Sequence, residues 1–155
     1  MQKESPPPIE IMIDADACPV RDEVFKIAKR HQKRVLVVSN SYLRIPIHSL
    51  IKQIVVSDKF DAADDYIAEQ SSNKTIVITA DILLAERCIK TGSVVISPNG
   101  SFFTADNIGS IVATRAIMND IRSSVGGENI GGPAAFTPAD RSRFLQSLHD
   151  AVVRL

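Results

Sequence analysis

The chain has 155 residues, 45% of them apolar and 23% charged, which suits one globular domain with a sizeable core and excludes a disordered or membrane-embedded chain. Lys+Arg and Asp+Glu balance at 18 each, so bulk charge does not draw the protein to nucleic acid; such a role needs charge separated within the fold. The opening MQKESPPP lacks the apolar core of a signal peptide, no apolar run approaches membrane-spanning length, and Cys18 and Cys88 read as free thiols, so a soluble cytoplasmic protein without a membrane partner is expected.

Residues 1–8 are Pro-rich and predict a disordered tail ahead of a single domain over 9–155. The β-branched run Ile9-Glu10-Ile11-Met12-Ile13 predicts the first strand. From Pro19 to Arg30, the residues Val20, Val24, Phe25, Ile27 and Ala28 recur at helical spacing, and Pro19 suits a first helical turn, where a missing N–H costs nothing. Val35 to Val38 predicts a second strand and Ile54 to Val56 a short third one. Asp61 to Gln70 reads as a helix, Thr75 to Thr79 as a fourth strand, and Asp81 to Lys90 as a helix closed by Gly92. Val94 to Ile96 is the fifth strand. Ala105 to Ile121 is a longer helix with apolar Ile108, Ile111, Val112, Ala116 and Ile117. A Gly-rich loop follows over 123–136. Thr137-Pro138-Ala139-Asp140 then has the make-up of an N-cap, a Pro at the first helical position and an acidic third residue, opening a last helix over 138–154. Continuously apolar strands alternating with amphipathic helices mean a mainly parallel sheet covered on both faces, and right-handed crossovers make it a three-layer α/β sandwich.

In such open sheets ligands bind beyond the carboxyl ends of the strands, and in this chain the residues falling there are acidic. The first strand runs into Asp14-Ala15-Asp16, and the second ends in Ser39-Asn40, which add neutral oxygen groups for a substrate. The third is followed by Asp61-Ala62-Ala63-Asp64-Asp65, and the fourth runs into Thr79-Ala80-Asp81. Helix capping, worth about 1 kcal/mol, accounts for Asp61 readily and for Asp81 less so. Asp64 and Asp65 suit a first helical turn, where the helix dipole favours them. Capping does not account for Asp14, which ends a strand several residues before its helix. Two carboxylates about 4 Å apart repel by roughly 4 kcal/mol at an effective dielectric of 20. That exceeds what a cap returns, so a true cluster calls for a cation or a proton. Oxygen ligands without a matching His or Cys set point to Mg²⁺ or Mn²⁺.

The segments IDADACPV, FDAADDYIAE, VITADILLAE, SPNG and GGPAAFTPADRSRF resemble the bacterial YaiI/YqxD family of uncharacterised proteins, over nearly the whole chain past residue 8. The resemblance implies a PIN-like fold, that of many metal-dependent ribonucleases and of 5′-nucleases, with a five-stranded sheet in the order 3-2-1-4-5. Ala63-Asp64-Asp65, Thr79-Ala80-Asp81 and Pro98-Asn99-Gly100 are similar, in order and spacing, to a run in 5′-nucleases. That likeness puts Asp14, Asp64 or Asp65, and Asp81 on metal-ligand positions; Asp14, Asp16 and Asp81 are the expected catalytic set. Ala62 stands where those enzymes carry a Glu and Leu83 where they carry a further Asp, which implies one ion, with two as the alternative. The resemblance also implies that the Gly-rich loop folds over the site, with Arg115, Arg122 and Arg141 as phosphate binders.

Cys18 precedes a helix N-terminus, which lowers a thiol pKa, but lies among carboxylates, which raise it; a packed, unreactive thiol is expected. Cys88 is expected in or beside the core. His31, His48 and His149 share no metal-ligand spacing and are expected at the surface. Arg21, Lys26, Lys29, Arg30, Lys33 and Arg34 form a basic stretch, either a solvated helix face or a strip contacting phosphates, with Arg21 nearest the acidic end.

Three functions follow. The leading one is a Mg²⁺- or Mn²⁺-dependent phosphodiesterase acting on nucleic acid, RNA sooner than DNA. The second is a haloacid-dehalogenase-type phosphatase acting on a phosphate ester. Ile13-Asp14-Ala15-Asp16 matches its opening, Val38-Ser39 its second motif and Asp64-Asp65 its late acidic pair, with Asp14 as nucleophile and Asp16 as acid/base. Cys18 and Pro19 depart from that pattern, and no Lys stands in the right context. The third is a non-catalytic RNA- or nucleotide-binding module.

Overall fold

Strand and helix alternate along the chain as β1 (Glu10–Asp14), α1 (Arg21–His31), β2 (Arg34–Ser39), β3 (Ile51–Val55), α2 (Ala62–Gln70), β4 (Thr75–Ile78), α3 (Ile82–Lys90), β5 (Val94–Ile96), β6 (Phe102–Phe103), α4 (Ile108–Ser124) and α5 (Pro138–Arg154). This is a computed structural model that describes residues 9–16, 18–124 and 135–155, without the side chains of 122–124. The expected tail over 1–8, most of the expected Gly-rich loop and the side chain of Arg122 lie outside the described residues.

The strands form one sheet in the order β3-β2-β1-β4-β5-β6. The first five are parallel, and β6 joins antiparallel to β5. The expected order 3-2-1-4-5 is therefore present, with a sixth strand added at the edge. The extra strand escapes notice because two residues, Phe102 and Phe103, are too few to show a period.

Successive side chains on a strand point to opposite faces, and the two cores divide accordingly. Ile11, Ile13, Val35, Val37, Ile76 and Ile78 pack against Val24, Phe25 and Ala28 of α1 and Phe144, Leu148 and Val152 of α5. Met12, Leu36, Val38, Val77 and Val95 pack against Ala63 and Ile67 of α2, Leu84 and Cys88 of α3 and Ile108 of α4. Each fully buried Ile, Leu or Val contributes roughly 1.5–3 kcal/mol, so a strand apolar on both faces is stable only between two helical layers. That is the three-layer α/β architecture expected. Among the described residues no helix is long and apolar enough to cross a membrane.

Several boundaries differ from the sequence pattern, each for a local reason. Pro19 is not in the first helical turn: Cys18 N–H donates to the carbonyl of Ala15 at 3.3 Å, the chain turns through Pro19 and Val20, and α1 starts at Arg21. β3 begins three residues earlier than expected because it is an edge strand whose outward Lys52 interrupts the apolar run. α4 begins later, since Thr104 and Asn107 exchange side-chain and backbone hydrogen bonds of 2.8 and 3.2 Å, which spend that segment on a turn. The last helix starts where its tetrapeptide indicates, with Thr137 and Asp140 forming a reciprocal capping box.

Candidate functional site

The chain runs β1 to β2 to β3 on one side, then crosses to β4 on the other side of β1. The carboxyl ends of β1 and β4 therefore flank the point where strand order reverses, the place where open α/β sheets bind ligands. A cleft of about 370 Å³ lies there, lined by Asp14, Asp16, Cys18, Asn40, Asp61, Ala63, Asp64, Ala80, Asp81 and Pro98. No Lys or Arg lines it among the described residues.

Asp14 ends β1, and Ile13 is paired with Ile78 of β4, which sets Asp14 beside Thr79. The Thr79 hydroxyl donates to Asp14 Oδ2 at 2.8 Å and accepts from the backbone N–H of Asp81 at 2.9 Å. One hydroxyl thus ties the ends of two strands to the start of α3. Burial raises the Asp14 carboxyl above its ordinary range, the Thr79 hydrogen bond opposes this, and the charges of Asp81 and Asp16 add to the rise. Asp64 is pushed up to about 6, first by burial and then by the charges of Asp81, Asp14 and Asp61, with a hydrogen bond to Asp81 that favours the protonated form. Each of these causes favours the protonated form of Asp64 over the charged one.

The capping roles are the reverse of those expected. Asp81 caps α3, its Oδ1 accepting from the N–H groups of Leu83 and Leu84 at 2.9 and 3.1 Å. Asp61 makes no side-chain cap; it adopts a left-handed conformation with φ of 63° at the start of α2, which Asp tolerates better than most residues. Its carboxylate is thereby left on the cleft wall. Capping therefore explains one oxygen of Asp81 and none of Asp61 or Asp14.

Of the remaining candidates, Asp16 lies exposed at the mouth and Asn40 lines the wall. Asn40 Oδ1 is buried and has no hydrogen-bond partner among the described residues, although buried amide oxygens are ordinarily satisfied. Ser39 is fully buried and its hydroxyl is spent on the carbonyl of Ser41 at 2.6 Å. Asp65 does not line the cleft: it accepts from Arg87 at 2.8 Å on the exposed side of α2. Of the two, Asp64 alone lines the cleft. Arg141 donates to Glu23 at 2.7 Å and lies 5.4 Å over the Phe136 ring, tying α5 to α1. Arg115 is exposed on α4, and Arg21 is near enough for its charge to act on Cys18.

Within the basic stretch, Arg34 pairs with Glu10 at 3.6 Å, while Lys26, Lys29 and Arg30 are exposed on α1. Burial pushes the thiols of Cys18 and Cys88 up to about 11, which makes both poor nucleophiles near neutral pH. The histidines differ from expectation. His31 and His149 are half-buried where α1 meets α5, with Nε2 of the first 3.2 Å from Nδ1 of the second; residues 118 apart in sequence carry no spacing signal. Thr79 and Cys18 are site residues that spacing alone did not single out. The alternating Thr79-Ala80-Asp81 after an apolar strand is the signal that marks Thr79.

Among the described residues, no group of three or more His, Cys, Asp or Glu has the geometry to hold a metal ion. Asp14, Asp64 and Asp81 thus share a cleft and influence one another's charge, but they do not form a closed ligand set.

Comparisons with known proteins give the chain its kinship without giving it an activity. No solved structure matches it. It is 57% identical to a UPF0178 protein of Sphingopyxis alaskensis over 94% of each chain. A UPF0178 protein of Nitrobacter winogradskyi is 50% identical over 95% of this chain and 92% of the relative, and one from a Jannaschia species is 52% identical over 94% and 93%. The model of the family described as "Uncharacterized BCR, YaiI/YqxD family" matches residues 12–154, a span that takes in every residue lining the cleft, and the chain belongs to that family.

Proposed function

We propose that the cleft takes up a divalent cation of the Mg²⁺ or Mn²⁺ kind and hydrolyses phosphodiester bonds in nucleic acid. The observation that carries the reading is the meeting of Asp14, Asp64 and Asp81 at the reversal of strand order, beside a buried Asn40 oxygen without a partner among the described residues. Apart from Cys18, whose thiol burial pushes up to about 11, the donors lining the cleft among the described residues are oxygens, the set that suits a hard cation. The carboxylates stand too open to be a finished ligand sphere, and their mutual repulsion is the force that a bound cation would cancel. When bound, such an ion supplies positive charge against the phosphoryl oxygens as negative charge builds there.

The chain's own residues would divide the remaining work. Asp14, Asp64 and Asp81 would hold the ion, with one oxygen of Asp14 already fixed by Thr79 and one of Asp81 by the start of α3. Asp16, exposed at the mouth, would accept a proton from the attacking water. Leu83, where 5′-nucleases carry an Asp, lies exposed in the first turn of α3, which favours one ion over two. The phosphatase alternative has less support: among the described residues no Lys lines the cleft, and Asp65 is held away by Arg87.

The test is a cleavage screen with Mg²⁺ and Mn²⁺ across single-stranded RNA, structured RNA, DNA and small phosphate esters. We expect metal-dependent cleavage of at least one polynucleotide, abolished by EDTA and by Asp14→Asn. Cleavage that survives Asp14→Asn, a trapped phospho-aspartate, or no turnover on any substrate would refute it.

A further inference from the structure

Large apolar side chains left in water are ordinary when scattered, but two of this chain's aromatics are placed together with the cleft. Tyr42 is 81% exposed and Phe60 92% exposed. Tyr42 stands two residues after Asn40, and Phe60 immediately precedes Asp61; both Asn40 and Asp61 line the cleft. Adjacent Cα atoms are about 3.8 Å apart, so the backbone at both residues runs within one or two residues of the cleft's lining. They leave the carboxyl ends of neighbouring strands, β2 and β3, where Ser39 is paired with Val55.

The segment carrying Tyr42 is held in place. The side chain of Gln53 on β3 accepts from the backbone N–H of Leu43 at 2.6 Å and donates to the carbonyl of the same residue at 2.8 Å. On the other side Ser39 Oγ donates to the carbonyl of Ser41 at 2.6 Å. An exposed ring on a segment pinned at both flanks loses little entropy when something stacks on it. The same edge of the fold carries Arg44, Lys52 and Lys59, all exposed, against the lone acid Asp58 between residues 41 and 60. None of the three cations forms a salt bridge among the described residues. The charge separation that a neutral chain needs for a nucleic-acid role is thus present: acid inside the cleft, and base on the β3 edge of the sheet that leads to it.

We infer that this rim binds single-stranded nucleic acid, with unpaired bases stacking on Tyr42 and Phe60 and the phosphates running past Arg44, Lys52 and Lys59 toward the cleft. The inference rests on the phosphodiesterase reading only for what happens to the strand after it binds. A base inside a duplex has both faces covered and offers nothing to these rings, so the preference is for unpaired strands. Removing a stacking ring weakens such binding by about five- to a hundredfold.

The experiment measures fluorescence anisotropy of labelled rU12, dT12, a 12-residue strand of tetrahydrofuran abasic sites and a 12-base-pair duplex, with Ca²⁺ present. Tyr42→Ala and Phe60→Ala should each bind rU12 or dT12 at least fivefold more weakly than the parent, and Tyr42→Phe, which keeps a ring, should bind normally. Neither Ala variant should change the weaker binding of the abasic strand or the duplex. The rU12 and dT12 arms distinguish RNA from DNA as the source of the bases. Ala variants that bind single strands like the parent would overturn the inference, as would equal losses on the abasic strand. So would a concentration-dependent dimer in sedimentation that the Ala variants abolish, which would make the rim a self-association surface. Mn²⁺-dependent cleavage of the same strands separates the two ideas. Cleavage with unchanged KM in the Ala variants sinks the stacking rim and leaves the phosphodiesterase standing. Ring-dependent binding with no cleavage under either metal does the opposite.

Discussion

Replacing Asp64 with Asn removes one carboxylate from the acidic group while keeping the size of the side chain. The folded protein raises this carboxyl from 3.8 to about 6, so it binds the proton more tightly than the unfolded chain does. Stability then falls as pH rises through that interval: the cost is absent below the unfolded value and complete above about pH 7. For a fully buried group a rise of that size corresponds to roughly 3 kcal/mol. Asp64 is only half-buried, and solvent screening cuts this to on the order of 1 kcal/mol. Asp64→Asn should therefore be more stable than the parent at about pH 7.5 in EDTA, by on the order of 1 kcal/mol or about 2–4 °C in Tm for a chain of this size. Near pH 4 the two should unfold together, because the parent's carboxyl is then protonated in the folded state. Thermal unfolding followed by circular dichroism across that range decides the matter. A difference that stays constant with pH, or a variant less stable at the upper end, would refute the electrostatic account of the cleft.

Two further substitutions probe the scaffold around it. Asp81→Ala should be less stable than Asp81→Asn by about 1 kcal/mol in urea unfolding, since Asn still caps the N–H groups of Leu83 and Leu84 while Ala leaves them open; equal stabilities would mean that the cap is not formed. Gly100→Ala should lower Tm by several degrees, because Gly100 has φ of +92° and a Cβ there would lie 2.6 Å from the carbonyl carbon of Arg143 in α5; an unchanged Tm would show that this turn does not pack on α5 as described.

The sheet was legible in the sequence because burial on both faces writes continuous apolar runs such as Ile11-Met12-Ile13 and Val35-Leu36-Val37-Val38, bounded by helices with clear spacing. The acidic site was legible in outline, since parallel strands place their carboxyl ends together and Asp14, Asp64 and Asp81 follow three different elements. What escaped was set by single hydrogen bonds and by contacts distant in sequence. No pattern distinguishes Asp81, which caps, from Asp61, which turns left-handed and does not. The pairing of His31 with His149 and of Glu23 with Arg141 depends on α5 returning to pack on α1. Phe60 carried a signal of its own, an aromatic between Lys59 and Asp61, whose meaning needed the position of the cleft; Tyr42, between Ser41 and Leu43, carried none.

The most direct test of the central claim is calorimetric titration of the parent with Mn²⁺, alongside Asp14→Asn and with Tm followed in parallel. The account predicts one Mn²⁺ per chain, with the parent stabilised by roughly 2.7 kcal/mol at a hundredfold excess over Kd, or on the order of 5–10 °C in Tm. Asp14→Asn should lose both the heat of binding and that gain, while its metal-free form stays at least as stable as the metal-free parent. No binding heat and an unmoved Tm at millimolar Mn²⁺ and Mg²⁺, or binding that persists undiminished in Asp14→Asn, would contradict a cation site in this cleft.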